Sequence, residues 1–435
     1  MRDFLPEDVR RREHVIAIIK RVYQRYGFEP LETPAVENID TLMGKYGEEG
    51  NQLIFKILKR GEHEASGQAD LALRYDLTVP LARVIAHHQS DVPRLFKRYQ
   101  IQPVWRADRP ARGRFREFYQ CDVDALGSTS PAVEAELCSA VAEALVELGF
   151  SDFVIRINHR QLLTSLLSAA GVPEDRHADA LVAIDKLDKI GGDGVRQELE
   201  RRGIGGESAT AVLTFFQPST AESELDRLAG FVGDNETGAA ALANLRAIFD
   251  LIRMTPAAGR IKLDPSLARG LSYYTGAIME INVADLAGSL GGGGRYDNLV
   301  GMFLGQSIPA CGFSLGLERI LVVMQERGMF PPSVAMTPAD VMMAVFDAAD
   351  LGHAMRVAAI LRGAGLRVLV YPDADKIGKQ IKYADSRKIP YVAILGSDEI
   401  SAGTVTVKDL AGKTQQTFDQ AAAGAAILED LKRRG

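Results

Sequence analysis

The sequence predicts an α/β chain: a larger α+β domain carrying an antiparallel hairpin and a helical insertion, then a smaller C-terminal α/β domain. Three observations predict it. Two strand patterns face each other across a polar, arginine-rich turn between Leu95 and Val123. From His159 to about Pro256 the chain turns rich in Leu, Ala, Glu and Arg, broken by glycines, and reads as several helices. After Phe330-Pro331-Pro332 a fresh alternation of strand and helix begins. With 435 residues the chain is too long for one ordinary core.

Pro6-Glu7-Asp8 has the marks of a helix start, with acidic side chains at the positive end of the dipole. Val15, Ile16, Ile19, Val22, Tyr23 and Tyr26 recur at helical spacing until Gly27. The prolines of Phe28 to Pro34 hold that stretch extended. Leu71 to Tyr75 reads as a strand and Val79 to Ala86 as a helix. Leu95 to Val104 and Phe115 to Val123 form the hairpin, and Glu134 to Leu148 is an amphipathic helix stopped by Gly149. Beyond the helical stretch, Ile278 to Val283 is a strand and Leu315 to Gln325 a helix. In the last domain strands are expected at 341–346, 366–371 and 391–396, with helices at His353 to Gly363 and Lys376 to Lys388.

The bulk composition narrows the function. Hydrophobic residues make up 46% and charged residues 25%, the balance of a globular protein. The net charge of -6 argues against a generic DNA-coating protein, while leaving a local basic field possible. Cys121, Cys138 and Cys311 are widely spaced, which argues against a disulfide framework or a cysteine zinc site and points to a reducing cytoplasm. The first residues are charged, so no signal peptide is expected, and no apolar run approaches membrane-spanning length.

Two stretches carry chemistry. The first, YQIQPVWRADRPARGRFREFYQCDVDALG, starts at Tyr99. Between Arg94 and Arg116 lie Arg94, Lys97, Arg98, Arg106, Arg109, Arg112, Arg114 and Arg116 against only Asp108. Guanidinium forks match phosphate oxygens bidentately, and Phe115 and Phe118 offer faces for a base. A solvated basic turn is the other reading of the same residues. The second stretch runs from Leu267 to Arg319 and contains LARGLSYYTG, LGGGGRYDNL and CGFSLGLERI. Gly291 to Gly294 suit either a close backbone approach to a ligand or a tight turn. No Lys-Ser or Lys-Thr follows them at the spacing of a phosphate-binding P-loop.

Taken together these segments resemble the class II aminoacyl-tRNA synthetases, in the form of the histidyl-tRNA synthetases. WRADRPARGRFREFYQ resembles motif 2, GFSLGLERI motif 3, and ETPAVE with Pro34 motif 1. ARGLSYY and GGGGRYDNL resemble two segments peculiar to the histidine enzymes. The resemblance implies a catalytic domain over 1–330, with an antiparallel sheet of class II type and a helical insertion at about 160–256. It further implies a linker at 331–338 and an anticodon-binding α/β domain at 339–435.

The implied activity is ATP-dependent ligation of L-histidine to tRNA(His) through histidyl-adenylate. Carried over, Arg106 holds the α-phosphate and Arg114 the γ-phosphate. Phe118 stacks on adenine, Asp108 lies near the base, and Arg319 covers its other face. Arg269 contacts the α-phosphate and, with Arg106, stabilises charge during adenylate formation. Asp76 and Thr78 grip the amino group of histidine, Gln120 contacts the amino acid, and Asp124 with Tyr274 reads the imidazole, next to Tyr273. Mg2+ accompanies ATP with ligands the sequence leaves unknown. A cytoplasmic homodimer is implied, with no membrane or DNA partner.

The chain departs from the family at Ser272, where Asp is frequent, and at Asp124, where many bacterial members carry Glu. The motif 2 loop at Pro110-Ala111-Arg112 differs too. His87-His88 reads as a solvated helix end, His159 as structural, Trp105 as packing under the hairpin, and Cys121 as a small buried thiol.

Overall fold

The computed structural model describes residues 1–61, 66–216, 224–268, 273–331, 334 and 337–434. They form two compact units, Met1–Met329 and Phe330–Gly435.

The first unit is built on eight strands: β1 (Glu29–Pro30), β5 (Phe96–Trp105), β6 (Glu117–Leu126), β7 (Val154–His159), β8 (Ile261–Leu263), β9 (Ala277–Asn282), β10 (Gly291–Arg295) and β11 (Ala310–Gly316). Their order is β1-β5-β6-β11-β10-β9-β7-β8, antiparallel through the centre, with β1 and β8 added parallel at the two edges. A small sheet in the order β2-β4-β3 joins β2 (Val36–Asn38), β3 (Lys56–Leu58) and β4 (Ala69–Leu73).

Register decides what each face of the large sheet shows, because side chains alternate along a strand. Arg98, Gln100 and Gln102 of β5 stand opposite Asp124, Asp122 and Gln120 of β6. Those stand opposite Gly312, Ser314 and Gly316 of β11, and Gly312 and Ser314 face Gly294 and Gly292 of β10. One face is therefore polar and glycine-lined. The other carries Cys121, Val123, Phe313, Leu315, Met279, Ile281, Ile155 and Ile157, all buried. On that side the helix Pro6–Arg25 buries Val15, Ile18, Ile19, Val22 and Tyr23, and packs with the helix Ala132–Glu147. Most of Ala132–Glu147 is small and apolar and ten of its residues are buried, so it fits as a helix under the sheet.

The hairpin β5–β6 pairs over ten residues of each strand, and its return starts two residues later and ends three residues later than the sequence pattern suggests. Between β7 and β8 the described residues are helical: Arg160–Ala169, His177–Ile184, Leu187–Arg201, Gly206–Thr214, Glu224–Val232 and Glu236–Ile252, plus a short 3₁₀ turn. Gly191 breaks the Leu187–Arg201 segment at φ 67°, in the left-handed region that glycine tolerates.

One expectation is corrected. Gly291 to Gly294 form not a tight turn but the central strand β10. A Cβ at Gly291 or Gly293 would collide with the β11 carbonyls of Ser314 or Gly312, so close strand packing requires glycine there.

The second unit is a five-stranded sheet in the order β13-β12-β14-β15-β16, from β12 (Val341–Ala344), β13 (Val368–Val370), β14 (Tyr391–Ile394), β15 (Thr404–Asp409) and β16 (Thr414–Asp419). β12, β13 and β14 run parallel, and β15 and β16 append antiparallel. Helices Leu351–Gly363, Ile377–Ser386, Ser397–Ala402 and Gln420–Arg434 flank it. The sequence pattern gives its first three strands and first two helices. β15, β16 and the last helix lie beyond the segments that the sequence pattern marks.

Candidate active site

Over the polar face lies a cleft of about 330 Å³, lined among others by Asp76, Thr78, Arg106, Asp108, Arg114 and Phe118. Gln120, Tyr273, Tyr274, Glu318 and Arg319 line it too. Ten of the predicted site residues are thus brought to one cavity from parts of the chain up to 243 residues apart (Asp76 to Arg319). Two predicted residues stand apart. Arg269 lies outside the described residues, as does Ser272. Asp124 is 2% exposed, beneath the cleft rather than on its wall.

At one end the floor is set by Asp76, just ahead of the helix Thr78–His87. Its carboxylate accepts hydrogen bonds from the Val79 N–H (3.1 Å), the Tyr46 hydroxyl (2.9 Å) and the Tyr273 hydroxyl (3.3 Å). Burial pushes its carboxyl above the usual range, against the pull of those donors and of Arg106. Tyr46 has no sequence signal that marks it, since its partner is thirty residues away and its own segment is featureless.

Next to it, Gly294 and Gly312 are cross-strand partners that leave room for two larger groups. A Cβ on Gly294 would sit 2.9 Å from the Tyr274 ring, and one on Gly312 would collide with Asp124 Oδ1. Tyr274 and Asp124 therefore lie over adjacent glycines. The hydroxyl that donates to Asp124, however, belongs to Tyr296 rather than Tyr274. Tyr296 stands in the GGGGRYDNL segment, where the sequence reading gave it no role. Its ring sits edge-on to that of Tyr273, whose own hydroxyl goes to Asp76. Gln120 donates to Ser314 Oγ at 2.9 Å.

At the other end stand the cations. Arg106 Nε donates to the Tyr75 carbonyl at 3.0 Å, and its guanidinium lies 4.2 Å from the Tyr75 ring and 5.2 Å from the Phe118 ring. One fork edge is thus spent on positioning. Arg114 approaches Asp108 at 3.9 Å and is half exposed. Arg319 Nη1 donates to the Ser289 carbonyl at 2.5 Å. Gly113, at φ 68°, lets the loop between β5 and β6 rest on the Arg319 side chain. Glu318 accepts from the Tyr119 N–H at 2.9 Å, and burial pushes its carboxyl up to about 7.

The cavity joins an arginine-lined, aromatic-walled end to a buried carboxylate and phenol end. The histidyl-tRNA synthetase family model matches residues 1–320, and an anticodon-binding-domain model matches 340–430. The chain belongs to the histidyl-tRNA synthetase family. It is a class II aminoacyl-tRNA synthetase, and its reaction is ATP-dependent charging of tRNA(His) with histidine through histidyl-adenylate.

Among curated relatives, the histidine–tRNA ligase of Christiangramia forsetii is 41% identical over 438 residues, covering 96% of each chain. The crystal structure of histidyl-tRNA synthetase from Nostoc sp. PCC 7120 matches with a TM-score of 0.82 at 33% identity, over 100% of this chain and 98% of that one. A Bacillus halodurans structure, described as an ATP phosphoribosyltransferase regulatory subunit/histidyl-tRNA synthetase, matches with a TM-score of 0.72. Its 21% identity, over 88% of this chain and 94% of that one, is a likeness of fold alone.

Proposed function

We propose that this family's chemistry is divided between the two ends of the cleft. Histidine lies over the Asp76 and Gly294–Gly312 end, and ATP lies along Arg106, Phe118 and Arg319. The observation that carries the reading is the continuity of the cavity: Asp76 and the phenols of Tyr273 and Tyr274 at one end, the guanidinium groups of Arg106, Arg114 and Arg319 at the other, with the backbone of Gly291 to Gly293 in the same lining.

Asp76, Thr78 and Tyr273 hold the α-amino group, Gln120 holds the amino acid, and Asp124 with Tyr274 reads the imidazole. Phe118 stacks on adenine, with Asp108 at its edge and Arg319 over its other face. Arg106 holds the α-phosphate and Arg114 the γ-phosphate. Arg269 joins Arg106 at the α-phosphate.

In the first step the histidine carboxylate attacks the α-phosphate and pyrophosphate leaves. In the second a terminal ribose hydroxyl of tRNA(His) attacks the acyl carbon and AMP leaves. Neither step needs a protein nucleophile, and all three thiols are buried. What the protein supplies is placement and fixed positive charge where negative charge develops.

Magnesium fits as an ion carried on the triphosphate, where it draws charge from the phosphate oxygens. Among the described residues no group of three His, Cys, Asp or Glu side chains could cage it. Glu280 and Glu318, two of the carboxylates on the cleft wall, would hold it alongside phosphate oxygens and water.

Residues 339–435 bind the anticodon and Pro34 with its neighbours builds a homodimer, both on the resemblance of those segments. The working compartment is the cytoplasm, where translation takes place. Among the described residues no helix is long and apolar enough to cross a membrane.

Replacing Asp124 by Ala tests the imidazole assignment. The KM for histidine should rise by about tenfold or more, with the KM for ATP within about twofold, because only the polar reader is lost. An unchanged histidine KM would remove Asp124 from the site.

A further inference from the structure

The face that meets the imidazole holds more buried negative charge than positive, and its excess centres on Asp122, a residue with no assigned role. Strand alternation puts Asp122 on the same face of β6 as Gln120 and Asp124. Asp76, Asp122 and Asp124 are each 2% exposed. A single fully buried guanidinium, Arg98, serves the last two, at 2.8 Å from Asp124 Oδ2 and 3.9 Å from Asp122 Oδ2. Arg98 also donates to Gln100 Oε1 and to the Leu77 carbonyl, so it is shared four ways.

The acceptors outnumber the donors as well. The hydroxyls of Tyr46 and Tyr273 go to Asp76, and that of Tyr296 goes to Asp124. Asp122 Oδ1 and Gln120 Oε1 are buried and meet no hydrogen-bond donor among the described residues. Buried acceptors without donors are costly, and a ligand that brings N–H groups relieves them. Neutral imidazole brings one N–H and one acceptor; imidazolium brings two N–H groups and a charge.

We propose that Asp122 makes the imidazole end of this cleft a cation site, so that histidine binds as the imidazolium and carries a proton in with it. The proposal rests on the reading that Asp124, Gln120 and Tyr274 surround the imidazole. Asp122 acts on the substrate through its charge and through Ser314, its cross-strand partner, whose hydroxyl already takes the Gln120 amide.

The charged and titratable groups around Asp122 come from five elements: Arg98 on β5, Asp124 on β6, Asp76 and Arg74 near the helix Thr78–His87, Tyr274 ahead of β9, and Tyr23 on the first helix. Arg74 is occupied by the Thr33, Pro34 and Pro103 carbonyls, which leaves Arg98 as the near counter-charge. Burial pushes the Asp122 carboxyl above its usual range; Arg98 and a hydrogen bond from the Ser314 hydroxyl pull it down, and Asp124 and Asp76 push it up again. The proton on the bound ring comes from solvent. Only an N–H bond is made.

Calorimetric titration of L-histidine into the full-length protein, at about pH 8 in buffers of different ionisation enthalpy, counts the protons taken up. Free imidazole is almost wholly neutral there, so uptake of about one proton per site is expected. Asp122→Asn should take up less than about half of that and bind histidine about tenfold more weakly, with ATP binding retained. No proton uptake by the native protein overturns the proposal, and that result needs no variant to fold. Native-like uptake and affinity in Asp122→Asn overturn it too. If Asp124→Ala raises the histidine KM while native uptake is zero, the imidazole assignment stands and only the cation site falls. If Asp124→Ala changes nothing, both fall.

Discussion

At Gly312 the missing side chain is what lets Asp124 occupy its place, since a Cβ there would overlap the carboxylate Oδ1. Gly312→Ala should therefore push Asp124 off its position. The histidine KM is expected to rise about tenfold, while the KM for ATP, which we propose to bind at the other end, moves by less than about twofold. Steady-state kinetics in both substrates checks this, and an unmoved histidine KM would show that Asp124 is not held against that glycine. His159 makes a different point. It caps the helix Arg160–Ala169 by accepting the Gln161 N–H on Nδ1 at 3.2 Å, a role open only to the neutral ring.

Burial first, and Arg295 second, lower the His159 pKa to about 4 from the ordinary 6.5. Between those values the unfolded chain binds the proton and the folded chain does not, so stability is full above the window and falls as pH drops through it. The loss is at most about 3 kcal/mol. His159→Asn should show a smaller fall in Tm than the native chain between about pH 7 and pH 5; equal falls would contradict the assignment. The sequence marked His159 as structural from its place at the end of a strand pattern. It could not mark Arg98, whose partners depend on the register of the hairpin and so on a turn length the pattern leaves open.

Among elements, the hairpin was readable because alternation and arginine content coincide in one stretch. β10 was not, because four glycines carry no alternation and the reason for them lies in the neighbouring strands. The loop of the hairpin is tied down at its tip. Arg112 forks onto Glu326 and donates to the Asp285 carbonyl at 2.9 Å, while Arg327 bridges Asp152 and Asp285. Such exposed pairs are each worth about 0–1 kcal/mol, so the loop can exchange them for other partners. Because this loop resembles the one that meets the acceptor stem, Arg112→Ala should lower tRNA charging by about three- to tenfold. Pyrophosphate exchange without tRNA should stay within about twofold. A parallel drop in both would place Arg112 in adenylate formation instead.

For the whole molecule, the sequence carries the α/β class because helix and strand periods are strong where segments are long and apolar. It carries the cleft because the site residues cluster in two stretches that the sheet brings together at β6, β10 and β11. The layer beneath the cleft, with Arg98, Asp122, Tyr296 and Tyr46, appears only when strands are in register. A single experiment reaches the central claim, that one cleft activates histidine with ATP: amino-acid-dependent exchange of pyrophosphate into ATP, measured without tRNA across all twenty amino acids. Exchange with histidine alone is the expected result. No exchange with any amino acid, or exchange driven by another one, would contradict the assignment of this cleft.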